Sequence, residues 1–226
     1  MKNGLQLPRL YAIIDRETLD RRGLEVGAFA RELRDAGVML VQYRDKLGSP
    51  RQVLEAAAEI KAILAPNGAG TGAMLILNDR ADLAVLAGWD GVHVGHTDMS
   101  PEAVRRVIGP DRVLGVSTHN EQQIREADAS VADYVAVGPV YATSSKSDTE
   151  PVIGLDGVRL ARTLTSKPLV AIGGISVERA AEVLAAGADS VAVIGALLPM
   201  EGQGQSTSQH VTALAATLNG LPATKF

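Results

Sequence analysis

The word Gln42-Tyr43-Arg44-Asp45-Lys46 follows the apolar run Met39-Leu40-Val41 and places an amide and two cations at alternate positions. In an extended strand those three side chains share one face. Such a cluster at a strand end suits an anion, a phosphate or pyrophosphate in particular. The same residues also suit a solvated edge that closes salt bridges with Asp45 or Glu17. Asn78-Asp79 follows Leu75-Ile76-Leu77, and Asp98 stands just past the strand-like Gly91-Val92-His93-Val94. Two carboxylates at neighbouring strand ends repel unless a proton or cation lies between them. Hard oxygen ligands beside a phosphate site suit Mg²⁺, which takes one or two carboxylates and keeps several waters. Read singly, Asp79 fits a cap for a helix starting near Arg80, and Asp98 a cap for one starting near Ser100.

Three further places carry polar groups at apolar strand ends. Ser117-Thr118-His119 offers a hydroxyl that can donate to an anion or cap a turn. Ser117 and His119 are too close in sequence, and lack an acidic orienter, for a hydrolase triad. The segment Thr143-Ser144-Ser145-Lys146-Ser147-Asp148-Thr149 sets one lysine among hydroxyls, a composition that can fold over a phosphorylated substrate or simply be solvated. Gly173-Gly174 and Ile194-Gly195 end two apolar runs, where glycine lets backbone N–H groups approach an oxyanion.

These groups need a scaffold that gathers strand ends. Eight runs rich in Val, Ile and Leu read as strands: Arg9–Asp15, Met39–Arg44, Ala73–Asn78, Gly91–Val94, Val113–Ser117, Tyr134–Gly138, Pro168–Gly173 and Ser190–Ile194. They are apolar nearly throughout, as strands are when both faces are buried in a parallel sheet. Helical segments fill the gaps. Leu24–Ala36 ends at Gly37, Pro50–Ala65 at Pro66, and Val177–Ala186 at Gly187. Ser100-Pro101 is a cap followed by proline, and Asn120 and Ser176 can cap the helices after them. Glu201–Gln209 reads as a polar loop before a terminal helix around Val211–Leu218. Eight β/α units in 226 residues predict one α/β domain over 1–226, a (β/α)8 TIM barrel with its site at the carboxyl ends of the strands. A doubly wound open sheet is the alternative, but the first strand-to-helix joint has no G-x-G-x-x-G word.

Composition removes other classes. With no cysteine there is no disulfide framework, thiolate zinc site, iron–sulfur cluster or cysteine nucleophile. A net charge of −4 argues against a general nucleic-acid binder. One Trp, four Tyr and two Phe argue against base stacking. The apolar run around Val191–Met200, about ten residues, is too short to span a bilayer. The first residues lack a signal-peptide core. A cytoplasmic enzyme or binding protein acting on small molecules is expected. The oligomeric state stays open, a homodimer included.

Seven words in order, VQYRDK, LND, GVHVGHTD, LGVSTH, VGPVYATSSKSDT, VAIGGI and GADSVAVI, resemble the thiamine-phosphate synthase family from about Arg9 to Ala196. The resemblance implies a (β/α)8 barrel that is a transferase of thiamine biosynthesis. It joins hydroxymethylpyrimidine pyrophosphate to a thiazole phosphate, carboxylated or not, and releases pyrophosphate. Gln42, Arg44, Lys46 and Asn78 would bind the pyrimidine pyrophosphate. Asp79 and Asp98 would bind Mg²⁺. Ser117 and Lys146 would contact the pyrophosphate, so that Arg44, Lys46, Ser117 and Lys146 are the catalytic set. Thr143 and Ser145 would hold the thiazole phosphate with the backbone of Gly173, Gly174, Ile194 and Gly195. Three positions depart from the family pattern: His96 stands where Gln is common, Ser145 where Thr is common, and Gly195 where Ser or Thr is frequent.

Two rivals are distinguishable. The related thiazole tautomerase, as the resemblance has it, lacks the metal-binding aspartate and carries a catalytic His after the sixth-strand glycine; this chain has Asp79 and Pro139. A non-catalytic phosphate-binding barrel shares the fold, but would not need Asp79, Asp98, Lys46 and Lys146 together. With so few aromatics, the pockets are expected to be aliphatic and polar, substrate affinity coming chiefly from the phosphate ends. His93 and Tyr134 are left between pocket lining and interior packing.

Overall fold

The computed structural model describes residues 4–65, 72–143, 150–199 and 206–221. Eight strands close into a parallel barrel in sequence order. They are β1 (Leu10–Asp15), β2 (Leu40–Arg44), β3 (Met74–Asn78), β4 (Gly91–Val94), β5 (Val113–Thr118), β6 (Tyr134–Val137), β7 (Leu169–Ile172) and β8 (Ser190–Val193). The barrel closes where Leu10–Ala12 pair with Val191–Val193. Each strand end lies within one residue of its expected bound.

Alternation divides the core into two bodies. Leu10, Ala12, Ile14, Val41, Leu75, Leu77, Val92 and Leu114 point outward into the main cluster beneath the helices. Tyr11, Leu40, Ile76, Val113, Tyr134, Ala136, Val170 and Ala192 pack inside the barrel. On β1 to β5 the inner positions at the carboxyl ends are polar: Asp15, Gln42, Arg44, Asn78, His93 and Ser117 continue the inward faces. On β6 to β8 the inward face stays apolar to the end, with Ala136, Ile172 and Ala192.

Helices α3 (Pro50–Leu64), α4 (Ala81–Leu86), α5 (Pro101–Ile108), α6 (Glu121–Ala129), α7 (Gly154–Leu164) and α8 (Val177–Ala185) follow β2 to β7. Ser49 and Gln52 form a capping box at α3, Ser100 accepts the Ala103 N–H, and Asn120 accepts the Gln123 N–H. Three expectations are corrected. The segment after β1 forms two helices, α1 (Arg16–Arg21) and α2 (Val26–Asp35), because the chain turns at Gly23 with φ +62°. Ser176 stands at the start of α8 but makes no capping bond, its hydroxyl donating instead to Glu178 at 2.6 Å. The terminal helix α9 (Thr207–Asn219) begins inside the expected loop, since Ser206 and Gln209 form a capping box there. Residues 201–205 lie outside the described residues.

Candidate active site

The carboxyl ends of the strands open onto a cavity of about 940 Å³. Its walls include Gln42, Arg44, Lys46, Asn78, Asp79, Asp98, Ser117, Thr143, Gly173, Gly174, Ile194 and Gly195. The barrel therefore gathers these expected site residues, which come from β2, β3 and β5 and from the segments after β2, β3, β4, β6, β7 and β8, around one space. Ser145 and Lys146 lie outside the described residues. The lining is mainly aliphatic and polar; among the described Tyr, Trp and Phe side chains, Tyr11 contributes to it.

The cation cluster has defined partners. Arg44 is paired with buried Asp15 at 3.0 Å and stands 3.8 Å from Glu17. Burial pushes the Asp15 carboxyl up, while Arg44 pulls it back. Asp45 is not the partner of Arg44. Its carboxylate accepts the Leu47 and Gly48 N–H groups at 3.1 and 2.7 Å and the Tyr43 hydroxyl at 3.1 Å, shaping the turn that presents Lys46. Lys46 is ion-paired with Asp79.

Neither aspartate is a helix cap. The residue before α4 is Arg80, which makes no side-chain cap bond, and Ser100 caps α5. Asp79 adopts φ +58°, a left-handed backbone that most residues avoid, and its N–H donates to the His93 carbonyl at 2.8 Å. That turn aims its carboxylate at the β4 loop. There Asp98 accepts the Gly95 N–H at 2.7 Å and lies within hydrogen-bonding reach of Asp79. Burial, opposed by Lys46 and reinforced by Asp98, raises the Asp79 carboxyl above the ordinary range. Burial also opposes ionisation of Asp98, yet the hydrogen bonds from Asp79 and Gly95 hold it below that range. A shared proton or a cation resolves such a pair.

At the opposite wall, Gly173 and Gly174 have φ +90° and +64°. A Cβ on Gly173 would stand 2.5 Å from Pro139, and one on Gly174 would stand 2.5 Å from the Ala142 carbonyl oxygen. Glycine is therefore required there by both backbone and space. Gly195 differs: nothing lies within 4 Å of its missing Cβ.

Two arrangements were not foreseen. Ser117 does bond a histidine, but the partner is His93, with Nε2 2.8 Å from Oγ. His119 instead donates from Nδ1 to the Gly138 carbonyl at 2.6 Å and receives no bond from Ser117. Tyr141 ties the segment after β6 to α8: its hydroxyl donates to Glu182 at 2.6 Å, and Arg179 lies 4.4 Å over its ring. Register places His93 beside Asn78 and Gly115, so inward alternation along β4 was the available signal for the first. Sequence spacing offers none for the second.

The profile of the family described as thiamine monophosphate synthase matches residues 10–197. The chain belongs to that family. Thiamine monophosphate synthase family members similar to it include a thiamine-phosphate synthase of Koribacter versatilis, 52% identical over 88% of this chain and 92% of the relative. Another, from Chloroflexus aurantiacus, is 41% identical over 94% of this chain and 92% of the relative. Among solved structures, a thiamine phosphate pyrophosphorylase from Pyrococcus furiosus superposes with a TM-score of 0.78 at 30% identity, covering 94% of this chain and 98% of that one. A tryptophan synthase alpha-subunit at 14% identity, TM-score 0.67, shares the fold alone.

Proposed function

We propose that this chain is a transferase of thiamine biosynthesis that joins 4-amino-2-methyl-5-hydroxymethylpyrimidine pyrophosphate to 4-methyl-5-(2-phosphoethyl)thiazole, or its carboxylated form, giving thiamine phosphate and pyrophosphate. The observation that carries this reading is the meeting of Arg44 and Lys46 with the facing carboxylates Asp79 and Asp98 at one mouth of the cavity. A site with cations for an anionic leaving group and carboxylates for a divalent ion fits pyrophosphate departure.

In this reading the methylene C–O bond breaks first and the pyrophosphate leaves with the electron pair. The aminopyrimidine ring stabilises the positive methylene, and the thiazole nitrogen then supplies the pair that forms the C–N bond. Arg44, Lys46, Ser117 and Lys146 meet the growing charge on the pyrophosphate, with Gln42 and Asn78 holding the same substrate. Asp79 and Asp98 would hold Mg²⁺. Their hard oxygen donors suit it, and a pair of carboxylates suffices for an ion that retains waters; among the described residues no group of three or more His, Asp or Glu forms a fuller metal nest. When bound, the ion neutralises leaving-group oxygens. Thr143 and Ser145 hold the thiazole phosphate with backbone groups of Gly173, Gly174, Ile194 and Gly195. No protein nucleophile is required, which agrees with the absence of cysteine.

The chain works on small molecules. None of the described helices is long and apolar enough to cross a membrane. We place it in the cytoplasm, as a single barrel domain over 1–226. The test is product formation from the two substrates. Thiamine phosphate is expected only when both are present. Rapid aromatisation of the thiazole tautomer without any pyrimidine substrate would overturn the reading in favour of a tautomerase.

A further inference from the structure

Beneath the cavity, five buried side chains form an unbroken file across the barrel. Gln42 Nε2 donates to the Tyr11 hydroxyl at 2.8 Å. The Tyr11 and Tyr134 hydroxyls are 3.0 Å apart. The Tyr134 hydroxyl lies 2.9 Å from His93 Nδ1, and His93 Nε2 lies 2.8 Å from Ser117 Oγ. The file runs from β2 through β1, β6 and β4 to β5 and is no more than 8% exposed at any member. Gly115 makes room for it, since a Cβ there would fall 2.0 Å from the Tyr134 ring. Its two ends, Gln42 and Ser117, line the cavity, as do Tyr11 and His93 between them. Burying so many polar groups in an aliphatic floor is costly unless every proton has an acceptor.

Counting protons sets the direction. An amide nitrogen donates only, so Tyr11 accepts from Gln42. Tyr11 then passes its own proton to Tyr134, and Tyr134 passes its proton to Nδ1 of His93. A neutral imidazole accepting at Nδ1 carries its proton on Nε2 and donates to Ser117. Ser117, already accepting, has its hydroxyl proton left for the cavity. In the opposite direction Tyr134 and Gln42 would both donate to Tyr11, and the one proton left for the cavity would be that of Tyr11, which also lines it, instead of that of Ser117.

We propose that Tyr11, Tyr134 and His93 are positioning residues that order protons one way through the barrel, presenting Ser117 as a donor and the Gln42 carbonyl oxygen as an acceptor to the substrate. An anion fits the Ser117 end, and an amino-bearing ring fits the Gln42 end. With the file reversed, Ser117 would turn a lone pair toward the leaving group instead of a proton. The assignment of that anion as pyrophosphate rests on the proposed function; the proton order does not.

The test has two arms on the full chain. In the first, the His93 ring is followed by ¹⁵N NMR at the alkaline limit of its titration, its signals identified by their loss in His93→Gln. The expected wild-type form carries the proton on Nε2, and Tyr134→Phe, which keeps the ring and removes the donor, shifts population to Nδ1–H. A wild-type ring protonated on Nδ1 overturns the proposal. In the second, Tyr134→Phe and Ser117→Ala are each expected to lower kcat/KM for the pyrimidine pyrophosphate about tenfold while KM for the thiazole phosphate stays put. The double variant is expected to fall no further than the worse single, because both remove one contact. Losses that multiply to about a hundredfold overturn it. Should Tyr134→Phe not fold, Tyr11→Phe interrupts the same file one step earlier. A wild-type chain that releases no pyrophosphate refutes the functional reading, and the tautomer still decides the proton order.

Discussion

Asp90, Asp133 and Asp189 stand immediately before β4, β6 and β8 at the amino-terminal rim, whereas Asp79 and Asp98 follow β3 and β4 at the carboxyl rim. The three lower aspartates repeat one device. Each donates its N–H to the carbonyl of a residue on the preceding strand and accepts that residue's N–H with its carboxylate. The residues are Leu75, Leu114 and Leu169, and the carboxylate bonds are 2.8, 2.9 and 2.8 Å long. Arg105 closes the charge of Asp133 at 2.7 Å, and Arg162 that of Asp189 at 2.9 Å. At the upper rim Asp79, on a left-handed backbone, faces Asp98, and among the described residues one lysine, Lys46, is paired there. The lower charges are completed by fixed groups of the chain itself. The upper ones, beside Lys46 and the Gly95 N–H, are the pair proposed above to hold Mg²⁺. In that proposal the barrel separates stability from chemistry by where an aspartate's partner comes from, as the fold commonly does between its two faces.

The largest expected effect breaks the lower rim. Asp133→Ala takes the carboxylate from Arg105 and from the Leu114 N–H, and removing one partner of a buried pair costs about 3 kcal/mol. Tm should fall by about 10 °C, while kcat per folded molecule holds. A marked loss of kcat would merge the two regions. Next, Asp79→Asn keeps a residue tolerant of φ +58° and removes the charge. Here kcat should drop at least about tenfold, equivalent to roughly 1.4 kcal/mol of barrier. Tm should stay within about 2 °C, the effect of half a kcal/mol or so in a chain of this size. Unchanged turnover would remove Asp79 from the mechanism. A smaller effect tests a purely structural position: Ser49→Ala opens the α3 capping box and should cost about 1 kcal/mol, read by denaturant unfolding, with no kinetic change. The smallest sharpens the upper rim. Gly195→Ser fills open space with a hydroxyl and should lower KM for the thiazole phosphate roughly threefold, within the worth of one net hydrogen bond.

Much of this contrast was legible in the residues, for a physical reason. Strands buried on both faces are apolar throughout, so Arg44, Asn78 and Ser117 stand out at their ends, and closure of the barrel brings them together. Alternation alone placed Gln42, Arg44 and Lys46 on one side. Part of what stayed hidden depends on contacts between strands that are not neighbours. Tyr11 and Tyr134 meet across the interior from β1 and β6, which no local spacing reports. Capping readings for Asp79 and Asp98 failed because local propensity competes with tertiary partners, and Lys46 and the Gly95 N–H won. The lower aspartates were findable: Trp89-Asp90-Gly91, Ala132-Asp133-Tyr134 and Ala188-Asp189-Ser190 each set Asp at the same place before a strand.

The most direct measurement is steady-state pyrophosphate release at saturating amounts of both substrates, with Mg²⁺ titrated from a chelated baseline, in the wild type and in Asp79→Asn. Release should be absent in chelator and rise with Mg²⁺ to saturation in the wild type, with a shallower rise and lower plateau in the variant, while the Tm of both proteins is untouched by the chelator. Release at the same rate in chelator as in Mg²⁺ would contradict the assignment of the upper carboxylates and the division of labour built on it.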